Sequence, residues 1–280
     1  MIKKKDETLD TFFHGRIQVI QKKKGYRFAL DAPLLADFIN TTPADHILEL
    51  GTGSGIIPLL LSAKPFASLT ALEIQPDLAD MARRSVALNN LTDRITVCQA
   101  DLRTYCPECP GASADPIVPS AAAAPSDLDH RFDVILSNPP YIKAHTGRTN
   151  DNPEIAAARH EVHCTLHDVM GRTAALLKDD GRAYFIFPER RRFEFLETAW
   201  SHGLRSVVER EVQPRADTPS VLFLSELRKH GYSQVVHPPL ILYDDSGEWS
   251  REARRIFAGG PAPDRVRTSA PPNETQFVLS

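Results

Sequence analysis

The chain has no long apolar run and few cysteines. None of its apolar segments reaches the roughly 20 residues that a membrane-spanning helix needs. Lys3–Lys5 are not followed by the apolar core of a secretory signal, so we interpret them as a basic tail. The four cysteines, without such a signal, favour a reducing cytosol over a disulfide-bonded secreted fold. We therefore expect a cytoplasmic protein with no membrane partner.

An excess of basic charge is also missing. The formal net charge of −3 argues against a surface that is basic throughout, although a local basic patch would suffice to bind RNA. The 42% of hydrophobic residues over 280 positions can form one substantial core, with room for one large domain and extensions. No internal repeat of solenoid length is present.

The turn Asn138–Tyr141, with the sequence NPPY, follows an apolar strand pattern at 132–137. Two prolines cannot continue a sheet ladder, so the strand must end there in a rigid turn. The Asn138 side-chain oxygen and the Pro139 carbonyl can each accept one N–H of a planar amino group, and Tyr141 can stack on the attached ring. We predict that Asn138, Pro139 and Tyr141 are catalytic residues that make an NH2 nitrogen nucleophilic.

A glycine-rich turn, Gly51–Gly55, lies between an apolar strand pattern at 47–50 and an apolar helix that starts at Ile56. Its spacing brings backbone close to a nucleotide-like ligand, although it is not the G-x-G-x-x-G of dinucleotide-binding folds. Glu73 ends the next strand and can accept from ribose hydroxyls; Asp101 follows a third strand and can accept from an adenine amino group. Each acid alone could be a solvated strand end, but acids after successive strands favour a binding site.

With these motifs the chain resembles the class I S-adenosylmethionine-dependent methyltransferases, in their amino-methylating branch. The segments Gly25–Asp31, Leu34–Ala36 and Arg148–Glu161 are similar to signatures of the bacterial tRNA adenine-N6 methyltransferases, which modify the base next to the anticodon of a valine tRNA. The resemblance covers roughly residues 9–245. It implies an α/β fold: a Rossmann-like, seven-stranded, mostly parallel sheet with helices on both faces and an antiparallel last strand.

The resemblance also implies a cofactor and an activity. The cofactor would be S-adenosyl-L-methionine, with no metal, and the activity would be N6-methylation of an adenine in RNA, in particular a tRNA anticodon-loop adenine. Gly51–Gly53 would offer backbone to the methionine part of the cofactor, and Glu49 would hold its ammonium group. The expected cofactor-binding residues are Arg27, Asp31, Glu49, Gly51, Thr52, Gly53, Glu73 and Asp101.

Two runs of basic residues are candidates for substrate binding. Lys22–Lys24 would lie in a turn beside the cofactor segment and could face phosphates, although a solvated hairpin tip explains them equally well. Arg190–Arg192 open a predicted helix, where positive charges oppose the helix dipole, and this placement favours a phosphate-contacting role. The expected substrate-binding residues are Lys23, Lys24, Arg190 and Arg191.

The chain divides by composition into three parts. Residues 1–45 are an expected N-terminal extension that contributes to cofactor and RNA binding and carries a hairpin over 16–27. Residues 46–257 form the expected methyltransferase domain, in which 106–130, rich in Pro, Ala, Ser and Asp, is a flexible insertion. Residues 258–280 are an expected disordered tail. We expect a monomer or a weak homodimer.

Periodicity predicts helices at 32–40, 76–89, 153–177 and 190–202, and strands at 181–188, 204–212 and 221–227.

Three alternatives stay open from sequence. A protein glutamine methyltransferase would also have to make a planar NH2 nitrogen nucleophilic, that of a side-chain amide. Such enzymes, however, carry a longer N-terminal domain than the 45-residue extension here. A non-catalytic RNA-binding protein on a methyltransferase scaffold would have no chemical need for the motifs. A zinc site is disfavoured because only one Cys-x-x-Cys pair is present. Its ligands would come from Cys106, Cys109, His160, His163, Cys164 and His167.

Overall fold

The computed structural model describes residues 3–24, 30–107, 131–139, 164–231 and 234–259. The strands are β1 (Glu7–Phe12), β2 (Ile17–Lys22), β3 (His46–Leu50), β4 (Ser68–Glu73), β5 (Ile95–Gln99), β6 (Phe132–Ser137), β7 (Leu177–Pro188), β8 (Arg205–Gln213), β9 (Leu222–Arg228) and β10 (Val235–Ile241). The helices are α1 (Asp31–Phe38), α2 (Ile56–Leu61), α3 (Pro76–Leu88), α4 (Leu166–Leu176), α5 (Arg192–Ser201) and α6 (Arg251–Ala258).

Strands β3 to β10 form one sheet in the order β5-β4-β3-β6-β7-β9-β8-β10. Pairing is parallel from β5 across to β7, and β9 runs antiparallel to both β7 and β8. The expected α/β fold with a reversed strand is therefore confirmed.

The strand count differs from the expected seven because β10 adds an eighth strand at the edge, parallel to β8. The sequence of β10, VVHPPLI, does not read as a strand because its two prolines cannot donate to a ladder. At an edge only one side of a strand has to pair, so prolines are tolerated there. The register of β10 shifts between His237 and Leu240, where the prolines lie.

The sheet is covered on both faces. Buried side chains of α1, α2, α3 and α6 pack with Ile47 and Leu136 on one face. Those of α4 and α5 pack with Leu48, Ile135 and Phe185 on the other. The central strands are near-continuous apolar runs because neither face meets water, as expected for parallel strands buried between helix layers. No helix in the described part of the chain is long and apolar enough to cross a bilayer.

Most predicted elements lie within a few residues of the observed ones. Helix α3 begins with Pro76 in its first turn and ends at Leu88, as the proline and the Asn-Asn pair indicated. Strand β7 begins at Leu177, four residues before the predicted 181, and its register to β6 shifts there. Helix α4, the described part of the helix predicted at 153–177, begins after a capping box at Thr165.

The predicted hairpin over 16–27 lies only partly within the described residues, which end at 24. The observed hairpin pairs β1 with β2, so the turn lies at residues 13–16 and Lys22 ends a strand. Phe13, His14 and Gly15 take the positive φ values that close this turn. The pattern around 17–21 identified a strand but not its partner, because a strand's alternation carries no information on which neighbour pairs with it.

The hairpin is bound to α3 by buried polar contacts. The Glu7 carboxylate, 1% exposed, accepts hydrogen bonds of 2.6 and 2.8 Å from the Arg84 guanidinium. The Ile20 N–H donates to Ser85 Oγ at 2.9 Å. Residues 3–24 are therefore attached to the main sheet through α3. The domain boundaries at 45 and 257 stay predictions. Apart from residues 106 and 107 of the expected insertion at 106–130, and 258 and 259 of the expected tail at 258–280, these two segments lie outside the described residues.

Candidate active site

The carboxyl ends of β3, β4 and β6 meet at one edge of the sheet. Leu50 lies beside Leu72 of β4, and Glu49 lies beside Leu136 of β6. The chain winds outward from β3 to β4 and β5, then crosses back to place β6 on the other side of β3. In open α/β sheets, ligands bind at the carboxyl ends of strands where the strand order reverses in this way. The glycine turn after β3 and Asn138 after β6 flank this crevice.

The glycine turn folds back over the end of β4. The N–H groups of Gly51 and Thr52 donate to the Leu72 carbonyl at 3.0 and 2.8 Å. At Gly55, φ is +84° and an added Cβ would lie 3.0 Å from the Cβ of Ala82 on α3. Only glycine permits both this backbone conformation and this approach. The turn is therefore held tightly between β4 and α3, with its backbone at the crevice.

Glu73 is held beside the turn. Its Oε2 accepts from the Gly53 N–H at 2.8 Å and its Oε1 accepts from the Gln75 N–H at 2.9 Å. Burial raises the pKa of Glu73, and the backbone donors of Gln75, Gly53 and Ile74 oppose this rise. Each carboxylate oxygen has a second lone pair, so both can still accept from a ligand hydroxyl.

Glu49 is a buried acid with an unsatisfied oxygen. The residue is 1% exposed, and its Oε2 has no hydrogen-bond partner in the described part of the chain. Burial raises the pKa of Glu49 to about 8; the nearby Thr52 hydroxyl opposes this rise and the Glu73 charge adds to it. Although Thr52 Oγ1 is close enough to act on this pKa, its geometry does not make it a hydrogen-bond partner.

Three buried oxygens at the turn thus lack partners among the described residues: Glu49 Oε2, Thr52 Oγ1 and Ser54 Oγ. Buried polar atoms without partners are uncommon and destabilising, by about 1–3 kcal/mol each. An acid and two hydroxyls converging on one glycine turn are suited to a ligand that carries a cationic donor. The residues present therefore fit the methionine ammonium of S-adenosylmethionine.

The second half of the site is placed by Ser137. Its Oγ donates to the Leu50 carbonyl at 2.7 Å, in a buried hydrogen bond between the ends of β6 and β3. Asn138 and Pro139, the next two residues, therefore lie next to the glycine turn; Pro139 is buried and Asn138 partly so. Pro140 and Tyr141 lie outside the described residues.

Of the three remaining cofactor candidates, Asp31 and Asp101 lie within the described residues. Asp101 follows β5 by two residues, and its carboxylate accepts from Arg103, with Arg103 Nη2 at 2.5 Å from Oδ2. Asp31 is buried in the first turn of α1, where its Oδ1 accepts from the Ala32 N–H at 3.0 Å. Arg27 lies outside the described residues. Contacts of Arg27, Asp31 and Asp101 with a cofactor stay predictions.

The arginines at the start of α5 divide into paired and exposed ones. Arg191 is buried, lies 2.8 Å from the Glu194 carboxylate and stacks on the Phe187 ring. Its charge is thus paired within the fold, and a phosphate contact by Arg191 stays a prediction. Arg192 contacts three carboxylates, from Glu189, Glu209 and Glu211. Arg190 is exposed.

The lysine run follows β2. Lys23 and Lys24 are exposed, and Lys23 Nζ donates to the Lys5 carbonyl at 2.8 Å. Neither lies in the turn of the described β1–β2 hairpin, which is at residues 13–16. Their contact with phosphates stays a prediction.

The alternative zinc ligands are only partly described. Cys109, His160 and His163 lie outside the described residues. Within the ranges that are described, no group of three or more His, Cys, Asp or Glu side chains is arranged to hold a metal ion.

Sequence reasoning missed Ser137 and Ser54. Ser137 is a lone polar residue at the end of the buried run FDVILS, and that contrast was an available signal. Ser54 lies inside the recognised turn, but its burial without a partner depends on packing that the sequence does not display.

The strand order and the crevice beside the glycine turn are those of the class I methyltransferase fold. No family model matches the chain. Curated relatives are similar over most of its length: 27% identity over 227 residues with a protein of Vibrio campbellii (80% of this chain, 84% of the relative), and 27% over 249 residues with one of Parabacteroides distasonis (88% and 94%). Both are named tRNA1(Val) (adenine(37)-N6)-methyltransferase. The resemblance stated from the motifs is thus confirmed.

Solved structures agree on the fold. A predicted O-methyltransferase from Agrobacterium tumefaciens superposes with a TM-score of 0.60 at 20% identity, covering 84% of this chain and 99% of that one. The TYW2 protein of P. horikoshii, solved in complex with MeSAdo, superposes with a TM-score of 0.52 at 17% identity, covering 80% and 72%. These likenesses show a shared methyltransferase fold.

Proposed function

We propose that this chain is an S-adenosylmethionine-dependent methyltransferase that methylates N6 of an adenine in RNA, in particular an adenine of a tRNA anticodon loop. The observation that carries the proposal is the pairing of two half-sites at one crevice. Glu49, buried with an unpaired oxygen, lies on the β3 side, and Asn138–Pro139 lie on the β6 side. The names of the curated relatives support the choice of tRNA.

The β3 side would hold the cofactor. The Glu49 carboxylate would pair with the methionine ammonium, and Gly51, Thr52 and Gly53 would lie along the methionine part. Glu73 would accept from the ribose hydroxyls with the lone pairs that its backbone donors leave open. Asp101 would accept a hydrogen bond from the adenine amine once its carboxylate rotates away from Arg103. Arg27 and Asp31 would line the same end of the site.

The β6 side would hold the amine that is methylated. S-adenosylmethionine, when bound, supplies a methyl group that is already electrophilic, so the chain needs no nucleophile of its own. The Asn138 side-chain oxygen and the Pro139 carbonyl would each accept a hydrogen bond from one N–H group of the adenine amine. Acceptors placed there favour a pyramidal nitrogen and stabilise the positive charge that develops on it. The proton of the methylated amine can pass to water.

The substrate must present its adenine unstacked. Tyr141, the third predicted catalytic residue, would stack on the extruded base. Extrusion is least costly where the base is already unpaired, as in an anticodon loop. The exposed side chains of Lys23, Lys24 and Arg190 are the candidates for phosphate contacts. We further propose a cytoplasmic location and a monomer or weak homodimer.

The test is labelled methyl transfer from S-adenosylmethionine to total tRNA, total protein and ribosomal RNA in parallel, followed by identification of the modified nucleoside. We expect label in tRNA, recovered as N6-methyladenosine and absent with the Asn138→Ala protein. Label confined to protein glutamine would instead identify the glutamine methyltransferase. Cofactor binding without transfer to any of the three would favour a non-catalytic protein.

A further inference from the structure

One face of α5 exposes two large aromatic side chains. Phe193 is 80% exposed and Trp200 is 65% exposed, the two highest values among the large hydrophobic side chains of the described residues. Seven residues apart on a helix, they lie on the same face, about 10 Å apart along the axis. The opposite face of α5, with Phe195 and Ala199, is packed in the core. The exposed aromatics therefore do not support the core.

Two guanidinium groups flank this aromatic face. Arg205 lies over the Trp200 ring, with its Cζ 3.7 Å from the ring centroid. Arg190, exposed, precedes Phe193 by three residues. Neither forms an ion pair with any residue of the described ranges, unlike Arg191 and Arg192. Of the four arginines in the described span 189–205, Arg190 and Arg205 are thus the two without a carboxylate partner among the described residues.

The face carries one opposing charge. Glu197 is exposed and lies between Phe193 and Trp200 on the same side of the helix. A polyanion crossing the face would keep its phosphates near the two arginines at the ends and away from the middle. Its bases, which are uncharged, would cover the middle.

The position of the face relates it to the proposed active site. Strand β7 runs parallel to β6 with Phe185 beside Ser137, so both strands end at the same edge. A single 3₁₀ turn, Glu189–Arg191, joins β7 to α5. Arg190 and Phe193 therefore start at the edge that carries Asn138, and Trp200 lies farther from it.

We propose that the outer face of α5, defined as Arg190, Phe193, Trp200 and Arg205, binds the unpaired nucleotides that adjoin the target adenine. Phe193 and Trp200 stack on bases, and Arg190 and Arg205 contact phosphates. Exposed aromatic rings with interleaved cations are the usual means of holding single-stranded nucleic acid. The chain as a whole has a net charge of −3, so its overall charge does not attract RNA. Two arginines beside two exposed rings are instead a local combination that favours an RNA ligand. The inference rests on the proposed function.

The test measures RNA and cofactor separately in the full-length protein. The probes are a valine tRNA transcript and S-adenosylmethionine. Phe193→Ala and Trp200→Ala are each expected to weaken tRNA binding about tenfold, because one base–aromatic stack is lost. KM for tRNA should rise by a similar factor, while kcat, cofactor affinity and Tm stay near those of the wild type. Val236→Ala, at an exposed apolar residue of the edge strand β10, is the matched control.

The arginines have a distinct readout. The slope of log binding constant against log salt concentration should fall by about 0.7 for Arg190→Ala and for Arg205→Ala, one single-strand phosphate contact each. Arg251→Ala, at an exposed arginine on α6, should leave the slope unchanged.

The outcomes separate the two proposals. If the wild-type protein methylates tRNA but Phe193→Ala and Trp200→Ala bind it as tightly as Val236→Ala, the inference about α5 is wrong and the proposed function stands. If the wild type methylates no RNA, the proposed function fails and the inference with it. If sedimentation shows that the two substitutions dissociate a homodimer and leave tRNA affinity unchanged, the face binds a second copy of the chain, which overturns the inference.

Discussion

The hydroxyl of Ser137 donates to the carbonyl oxygen of Leu50 at 2.7 Å, across 87 positions of sequence. Both groups are buried at the ends of neighbouring strands. This one contact ties the residue before Asn138 to the residue before Gly51. It adds to the β3–β6 ladder in fixing the relative position of the two half-sites.

Ser137→Ala should reduce turnover more than it reduces cofactor affinity. The substitution leaves the buried Leu50 carbonyl without this donor, which costs about 1–3 kcal/mol in the free energy of unfolding. It also frees the start of the Asn138 turn to move relative to the glycine turn. Single-turnover methyl transfer and calorimetric cofactor binding would be compared with those of Ser206→Ala, which loses a hydroxyl pair to Ser225 elsewhere in the sheet. An equal fall in turnover for both variants would contradict the positioning role of Ser137.

Asn138→Ala should abolish most of the chemistry and leave cofactor binding near normal. The side-chain oxygen is one of two proposed acceptors for the reacting amine, and loss of one such electrostatic contact typically lowers kcat by about 10²–10³. The single-turnover rate with tRNA and the calorimetric affinity for S-adenosylmethionine give the two readouts. A rate equal to that of the wild type would remove Asn138 from the mechanism.

Glu73→Ala should weaken cofactor binding strongly. The substitution removes the acceptor of the Gly53 N–H, which orders the glycine turn, as well as the proposed ribose acceptor. We expect at least about a tenfold loss, equivalent to roughly 1.4 kcal/mol. Isothermal calorimetry with S-adenosylmethionine measures this, and Asp77→Ala, at an exposed acid in the first turn of α3, is the control. Unchanged affinity would disprove the ribose assignment.

Glu49 should make the stability of the ligand-free protein fall with rising pH. Its pKa in the fold, about 8, lies above the ordinary glutamate value, so the folded state binds more protons than the unfolded state between these pH values. The stabilising effect of the neutral form is complete below about pH 4.5 and lost as pH rises through about 8. Glu49→Gln, which stays neutral, should therefore raise Tm relative to wild type at pH 9 and much less at pH 5.

Cofactor binding should release a proton from the same group. At pH 7 the Glu49 carboxyl is mostly protonated in the ligand-free protein and must ionise to pair with an ammonium. Calorimetry in buffers with different ionisation enthalpies should show about one proton released by the wild type and none by Glu49→Gln. Equal proton release by the two proteins would mean that Glu49 does not hold the ammonium.

Local patterns were sufficient for the parts of the site that are contiguous in sequence. The GTGSG turn, the acid that ends β4 and the proline-stopped strand before Asn138 each follow from the local pattern of a few neighbouring residues. Parallel strand order then requires their ends to meet at one edge. The hairpin at 7–22 and the edge strand β10 were missed because pairing partners are chosen by packing, not by the strand's own pattern.

Contacts between distant residues decided the rest. Arg192 is neutralised partly by Glu209 and Glu211, which lie on β8 and are not its neighbours in sequence. Which arginines remain unpaired, and hence which can meet a phosphate, follows from those contacts alone. The amino-acid sequence by itself determined the class of fold and the residues available to the site. Tertiary structure alone decided that Ser137 bonds to the end of β3, that one oxygen of the buried Glu49 has no partner among the described residues, and that Phe193 and Trp200 face outward. The physical reason is that burial, pKa and pairing depend on which distant groups share a volume, which local sequence does not specify.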